Sequence, residues 1–418
     1  MAKLRETRDY SSSKRLYAAF LAIIVAFCGI WLASHSSGHE SITGAATRRT
    51  ASAGEALERV LVIPSNAAAA AEGKAALSEN VQHELKDGSF TVDVPVSLKS
   101  ALRKYGAVQT VPKLRIPQPA AAAFGGKPGR ERACLPTVQL PWGVSKVGGG
   151  SGGKGINIAI LDTGVAKHPD LRIAACADTT RRKVTGGCDD QNGHGTHVAG
   201  IVGANGGKDG KGIYGIAPDA SIWAIKVCKA DGTCWADDIA EGIYYAVDRG
   251  ANIISMSIGA DVDVGIIRDA IEYGARHGVL FVAAAGNDGP TDGSIDWPAA
   301  YAAVVAVGAV DSGDAVAGWS SRGINYETTP WVVEERDIEF AAPGVSIEST
   351  WKDGCYRTLS GTSMAAPHIA GLAAKLWQGS AAATRDYLRY IARYYYSDIG
   401  REGDDPDAGF GLPAAQAE

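Results

Sequence analysis

Along the 418 residues, short uninterrupted apolar runs alternate with stretches whose apolar positions recur every three or four residues. From Trp142 onward the runs at 156–161, 221–227, 253–258, 279–285 and 304–310 are bounded by Gly, Asp or Asn, as buried strands are. Between them, residues 235–248 and 264–277 read as helices. Buried strands alternating with helices predict an α/β fold, a parallel sheet with helices on its faces. Reactive groups in such folds gather at the carboxyl ends of strands, so chemistry is expected just after the apolar runs.

Upstream the signals are weaker. Residues 60–63 and 90–96 are strand-like, 75–85 and 98–105 helix-like, which predicts a small α+β unit. Linkers flank it, one rich in Ser, Thr, Gly and Ala over 34–55 and one rich in Ala, Gly and Pro over 117–129. At the amino end Lys3, Arg5, Arg8, Lys14 and Arg15 precede an uncharged apolar run over 16–33. Positive charge before such a run directs the downstream chain out of the cytoplasm. The run is long for a cleaved leader and slightly short of the ~20 residues of a span. Export is expected, with the chain secreted or anchored through residues 16–33.

The net charge of −5 conceals an asymmetry: residues 1–140 carry an excess of Lys and Arg, residues 141–418 an excess of Asp and Glu. An acidic body repels phosphates and argues against nucleic acid as a partner. Opposite charges suit the docking of the two parts on each other. Outside the apolar run lie Cys134, Cys176, Cys188, Cys228, Cys234 and Cys355, an even set that fits disulfides in an oxidising compartment. Cys228 and Cys234 flank a turn-forming Lys-Ala-Asp-Gly-Thr, and Cys176 and Cys188 are the next local pair; the full connectivity stays open.

Three segments meet the expectation for chemistry. Ile158-Ala159-Ile160-Leu161-Asp162-Thr163-Gly164 ends an apolar run in an acid. Asn192-Gly193-His194-Gly195-Thr196-His197 and Ser360-Gly361-Thr362-Ser363-Met364-Ala365-Ala366-Pro367-His368 each open a helix. A serine hydroxyl needs a base within hydrogen-bond reach, and histidine, with its ordinary pKa of about 6.5, suits that task. A carboxylate on the other ring nitrogen fixes the tautomer and steadies the imidazolium. Gly361 is expected to permit a tight turn before the serine, at a helix N-terminus that favours developing negative charge.

In this order the blocks resemble the signature segments of the subtilisin-like (subtilase) family of serine proteases, and the likeness runs from Pro141-Trp142-Gly143-Val144 to Gly409-Phe410-Gly411-Leu412. The resemblance implies a three-layer α/β fold with a mostly parallel central sheet and helices on both faces, preceded by a small α+β prosegment. It implies a serine endopeptidase made as a self-processing zymogen, with Asp162, His194 and Ser363 catalytic. Asn287, in Ala284-Ala285-Gly286-Asn287-Asp288, would donate to the oxyanion beside the Ser363 backbone N–H. The implied division is a signal peptide or anchor over 1–34, linker and prosegment over 35–132, and a catalytic domain over 133–418. An esterase of the α/β-hydrolase type does not fit, because Gly361-Thr362-Ser363-Met364-Ala365 lacks the second glycine and the histidine does not come last. A silent binding or chaperone module of the same fold sits badly with an intact Asp-His-Ser-Asn set.

No cofactor is implied for the chemistry. His197 and His368 are implied as structural, and Asp170 in His168-Pro169-Asp170 as a ligand of structural calcium, although Lys208 and Lys211 alter the loop that usually completes that site. Protein or peptide substrates would lie as an extended strand between segments near 226–235 and 257–260. Ser257, Ile258 and Gly259, residues 283–288 and the stretch before Trp297 would bound the P1 pocket. Asp296 stands there where relatives carry a small residue, with Asp288 at the rim, so a basic P1 residue is expected. Gly129-Arg130-Glu131-Arg132-Ala133 offers a basic self-cleavage site, with the Ala-rich 120–123 as its rival. The acidic stretch 325–339 reads as a solvated loop.

Overall fold

Side-chain alternation along one buried strand generates the layers of the molecule. In Asn157–Asp162, Ile158 and Ile160 enter one hydrophobic cluster while Ala159 and Leu161 enter another, because successive strand residues face opposite sides. Both faces must then be covered. Helices His194–Gly203, Thr362–Lys375 and Ala381–Tyr395 close the first through Val198, Ile201, Ile369, Leu372, Leu388 and Ile391. Helices Ala236–Asp248 and Gly265–Arg276 close the second through Ile239, Ile243, Ile267 and Ile271. Between them lie seven strands in the spatial order Phe340–Pro343, Val304–Val310, Leu280–Ala284, Ile253–Met256, Asn157–Asp162, Ser221–Lys226 and Ile173–Asp178. Every neighbouring pair is parallel, and the three-layer α/β architecture is the one expected.

This computed structural model describes residues 55–117, 134–325, 332–395, 399–401 and 403–415. The apolar run 16–33 and the basic site at Arg132 lie outside them. No helix among the described residues is long and apolar enough to cross a membrane.

The acidic stretch departs from its expected character. Asn325 and Ile338 exchange hydrogen bonds of 2.8 and 2.9 Å, and the fully buried Glu339 is held by Arg385 at 2.6 Å and Arg389 at 2.7 Å. Burial alone would raise the Glu339 pKa, but the two guanidiniums outweigh it and hold the carboxyl below its ordinary value. Among the described residues of this stretch Glu334 and Glu335 are exposed, and Glu339 leads directly into the strand Phe340–Pro343.

The amino-terminal unit is an antiparallel sheet in the order Val81–Glu84, Phe90–Pro95, Leu57–Pro64, Gly106–Thr110, with helix Ala67–Ala76 and a 3-10 segment Val96–Lys104. The helix lies earlier than the 75–85 expected, because Asn66 caps it by accepting the Ala69 N–H at 2.9 Å. Val81–Glu84 is therefore a strand, paired to Phe90–Pro95. Val60 and Val62 pack in the unit's own core with Phe90, Leu102 and Tyr105, whereas Leu61 enters the second cluster of the body.

Arg59, on the same face as Leu61, supplies the polar half of that contact. It donates to Asp93 at 3.0 Å, to Asp237 at 3.2 Å and to Asp238 at 2.8 Å. His83 Nε2 lies 3.0 Å from Asp238, and the Thr91 hydroxyl donates to Asp237 at 2.6 Å. Both acids sit in the first turn of Ala236–Asp248, where the helix dipole favours them. Disulfides join Cys176 to Cys188 and Cys228 to Cys234, the two local pairs singled out, and Cys134 to Cys355.

Candidate active site

Asp162 closes its strand with both carboxylate oxygens engaged. Its Oδ1 accepts the Thr163 N–H at 2.7 Å and the Thr163 hydroxyl at 3.2 Å, and His194 Nδ1 lies 2.9 Å from each oxygen. Facing a carboxylate, Nδ1 carries the proton and Nε2 is left as the acceptor. Gly195 makes the approach possible: a Cβ there would stand 2.2 Å from Gly164 O and 3.0 Å from Asp162 Oδ1.

Ser363 lies in the first turn of Thr362–Lys375, a buried helix rich in Ala that packs against His194–Gly203. Pro367 has no N–H, so the Ser363 carbonyl loses its i+4 partner. The Ser257 hydroxyl takes that place, donating at 2.9 Å. Ser363 Oγ and His194 Nε2 are both buried and hydrogen-bond to no described residue. Gly361 has an extended backbone, φ 161°, so the tight turn expected of it is not what it provides.

Asn287 follows the strand Leu280–Ala284. Its Oδ1 accepts the Thr362 N–H at 3.0 Å and the Thr362 hydroxyl at 3.1 Å, which fixes the opposite end of the amide as the donor end. Sequence reasoning missed Thr362; its place beside a serine at a helix start was the available signal.

The two segments expected to grip substrate do grip an extended strand, one from the chain itself. Lys113–Arg115 pairs antiparallel with Thr233–Trp235. The Arg115 N–H donates to Gly259 O at 3.1 Å, the Gly259 N–H donates to Arg115 O at 3.0 Å, and the Ile116 N–H donates to Gly232 O at 3.1 Å. Every one of these bonds is main chain to main chain.

Beside this strand the expected P1 walls converge. Ala260 and Trp297 exchange backbone bonds of 3.0 and 2.9 Å, and the Asp296 N–H donates to Ala285 O at 2.8 Å. Asp296 is 5 % exposed. A Cβ on Gly259 would meet its Oδ2 at 2.3 Å, and one on Gly286 at 2.7 Å, so glycine is what makes room for the carboxyl. Ile258 packs into the second hydrophobic cluster. Asp261, which sequence reasoning missed, groups with Asp288 and Asp296, one oxygen of each within 4.8 Å of the others. Burial first, then Asp288 and Asp261, push the Asp296 pKa up to about 8.

The remaining candidates serve structure. Burial pushes His197 down to about 3 and His368 down to about 4, so both rings are neutral. His197 Nε2 lies 2.9 Å from Arg357 O, and His368 Nδ1 lies 2.7 Å from Met364 O. Asp170 Oδ2 accepts the Ile213 N–H at 2.9 Å and the Tyr356 hydroxyl at 2.7 Å. Protein donors thus take up one oxygen of this carboxylate, and among the described residues Asp170 joins no group of three His, Cys, Asp or Glu side chains able to share an ion.

A profile of the Subtilase family matches residues 153–411. The chain is 42% identical over 357 residues to a subtilisin of Bacillus sp. (strain TA39), a match covering 78% of this chain and 84% of that one. It is 38% identical over 245 residues to Subtilisin Savinase of Lederbergia lenta, covering 57% of this chain and 84% of that one. Among solved structures, S41 Psychrophilic Protease and Sphericase each superpose with a TM-score of 0.64 at 43% identity, over 67% of this chain and 99% of theirs. With its seven parallel strands, two helical layers and ordered Asp, His and Ser segments, the chain belongs to the subtilase family and is a subtilisin-type serine endopeptidase.

Proposed function

We propose that Ser363 is the nucleophile, His194 the general acid and base, Asp162 its orienting carboxylate and Asn287 an oxyanion donor. The observation that carries this reading is the His194 Nδ1 contact with both Asp162 oxygens at 2.9 Å, which assigns Nδ1 as the donor to the carboxylate and Nε2 as the atom that faces the chemistry, in the first turn of a helix packed on that of Ser363. Ser363 Oγ attacks the scissile carbonyl while its proton passes to His194 Nε2. The oxyanion accepts from the Asn287 amide and the Ser363 backbone N–H. The C–N bond then breaks, His194 returns the proton to the leaving amine, and water repeats the sequence on the acyl-enzyme. Covalent capture of Ser363 by a fluorophosphonate probe, located by peptide mass mapping, tests the assignment; label on any other residue would overturn it. Asn287→Ala is expected to lower kcat about 100- to 1000-fold with little change in KM.

The P1 pocket is read as selecting basic side chains. A guanidinium against Asp296, with Asp288 near the rim, supplies the charge that lets a buried carboxyl ionise. Asp296→Asn is expected to cut kcat/KM for P1 Arg peptides by at least about 10-fold and to spare P1 Phe peptides. A wild-type enzyme that prefers Phe or Leu at P1 would refute this selectivity.

Residues 35–132 are read as the prosegment, and the run 16–33 as its export signal or anchor. The disulfides suit an oxidising compartment. Extending the register from Arg115 opposite Gly259 sets Pro117 opposite Ser257, beside the nucleophile. This register seats Pro117 rather than Arg132 there; self-cleavage at the basic site before Ala133 is the reading taken from the sequence. Amino-terminal sequencing of the active enzyme should begin at Ala133; a start at Gln118 or within 120–123 would overturn the choice of Arg132.

A further inference from the structure

We propose that Asp261, Asp288 and Asp296 form a divalent-cation site at the P1 pocket, suited to Ca2+, where a bound cation competes with a basic P1 side chain. The competition rests on the P1 reading above; the cation site does not.

One oxygen from each carboxylate lies within 4.8 Å of the other two. Oxygens so placed can share one ion, since Ca2+ takes its ligands at about 2.3–2.6 Å. Acids crowd together on many surfaces without an ion, so Asp296 is the decisive member. It is 5 % exposed and enclosed by Gly259 and Gly286. Among the described residues no N–H or O–H donates to its carboxylate, and an oxygen of Asp261 lies within 4.8 Å of it. Carboxylates held this close repel each other unless a proton or a cation offsets their charge.

Of the neighbouring cations, Arg268 has an acid of its own, Asp263, while Arg336 lines the same cleft as Asp261 and Asp288 and donates to Gly293 O at 2.6 Å. A contrast lies across the molecule, where His83, Asp237 and Asp238 also come within ligating range of one another. There Arg59 already fills the space between the acids, so their charge is met. An all-oxygen set favours Ca2+ over softer metals. Asp261 and Asp288 are exposed and leave that side open to water ligands.

Trp297 lines the same cleft as Asp261 and Asp288 and can sensitise a lanthanide bound there. The test is a Tb3+ titration of the active enzyme with excitation of tryptophan, compared with Trp297→Phe to isolate the signal from this pocket. A Trp297-dependent emission is expected, displaced by Ca2+ and by benzamidine as a mimic of a P1 arginine. Asp296→Asn and Asp261→Asn should each weaken Tb3+ binding at least about 10-fold; the exposed Asp261 gives a readout even if the buried variant misfolds. Ca2+ should raise KM for P1 Arg peptides. No Trp297-dependent emission, or emission indifferent to both substitutions, would overturn the site. If emission behaves as expected while P1 Phe peptides are preferred, the cation site stands and the basic P1 reading falls. If Arg is preferred without emission, the reverse holds.

Discussion

Replacing Ser363 with alanine is expected to lower kcat about 10⁶-fold, the size of loss found in subtilisin itself when its serine or histidine is removed, while the thermal midpoint stays unchanged. The two halves have separate causes. Ser363 Oγ is buried and bonds to no described residue, so its removal deletes a polar atom and leaves no partner orphaned. Turnover collapses because the acyl-enzyme cannot form. His194→Ala should fall to the same floor, and the double variant no further, because the groups act as a unit. Peptide hydrolysis measured beside a thermal melt decides the matter. Losses that multiply, or a Ser363→Ala enzyme within 100-fold of wild type, would mean another group attacks the substrate.

Arg59→Ala is expected to loosen the grip of the amino-terminal unit about 10²- to 10⁴-fold. Arg59 is the guanidinium between Asp237 and Asp238, and all three are buried. Removing one partner of such a group typically costs about 3–5 kcal/mol. Once the unit departs, both acids regain water, so the cost falls on the docked state alone. His83 adds a pH dependence. Burial would lower its pKa, but Asp238, Asp237 and Glu241 outweigh burial and the nearby Arg59, and hold it above its ordinary value. A raised pKa stabilises docking fully below about 6.5 and progressively less as pH rises through the folded value. Gel filtration of the self-processed enzyme should show the amino-terminal fragment co-eluting near pH 6, separating toward pH 9, and separating at both in Arg59→Ala. Co-elution indifferent to both changes would remove the network from the docking interaction.

How much of this could be read from the chain depended on whether a residue's role was local. Asp162 and His194 announce themselves, because an acid ending an apolar run and a histidine opening a helix are set by their neighbours in sequence. The five central runs were equally legible. Ile173–Asp178 was not, since this edge strand is only partly buried and half of its residues are small alanines. Phe340–Pro343 was hidden by its four-residue length and by the acid just before it, Glu339, whose burial beside Arg385 and Arg389 depends on a helix some 46 residues away. Asp261 gave no sign, because its significance lies in Asp296, which reaches it only through the backbone pairing of Ala260 with Trp297. Arg59 meets Asp237 across 178 residues of chain, a distance at which charge asymmetry was the one hint.

Ser257 has a consequence for protein engineering. Its hydroxyl replaces the N–H that Pro367 lacks, so the wall proposed to grip the substrate is fastened to the carbonyl of the proposed nucleophile. Libraries that vary residues 257–260 to retune selectivity will also shift the footing of the helix that bears Ser363. Selection on affinity alone would then enrich slow enzymes, and variants from this wall should be ranked on turnover from the first round.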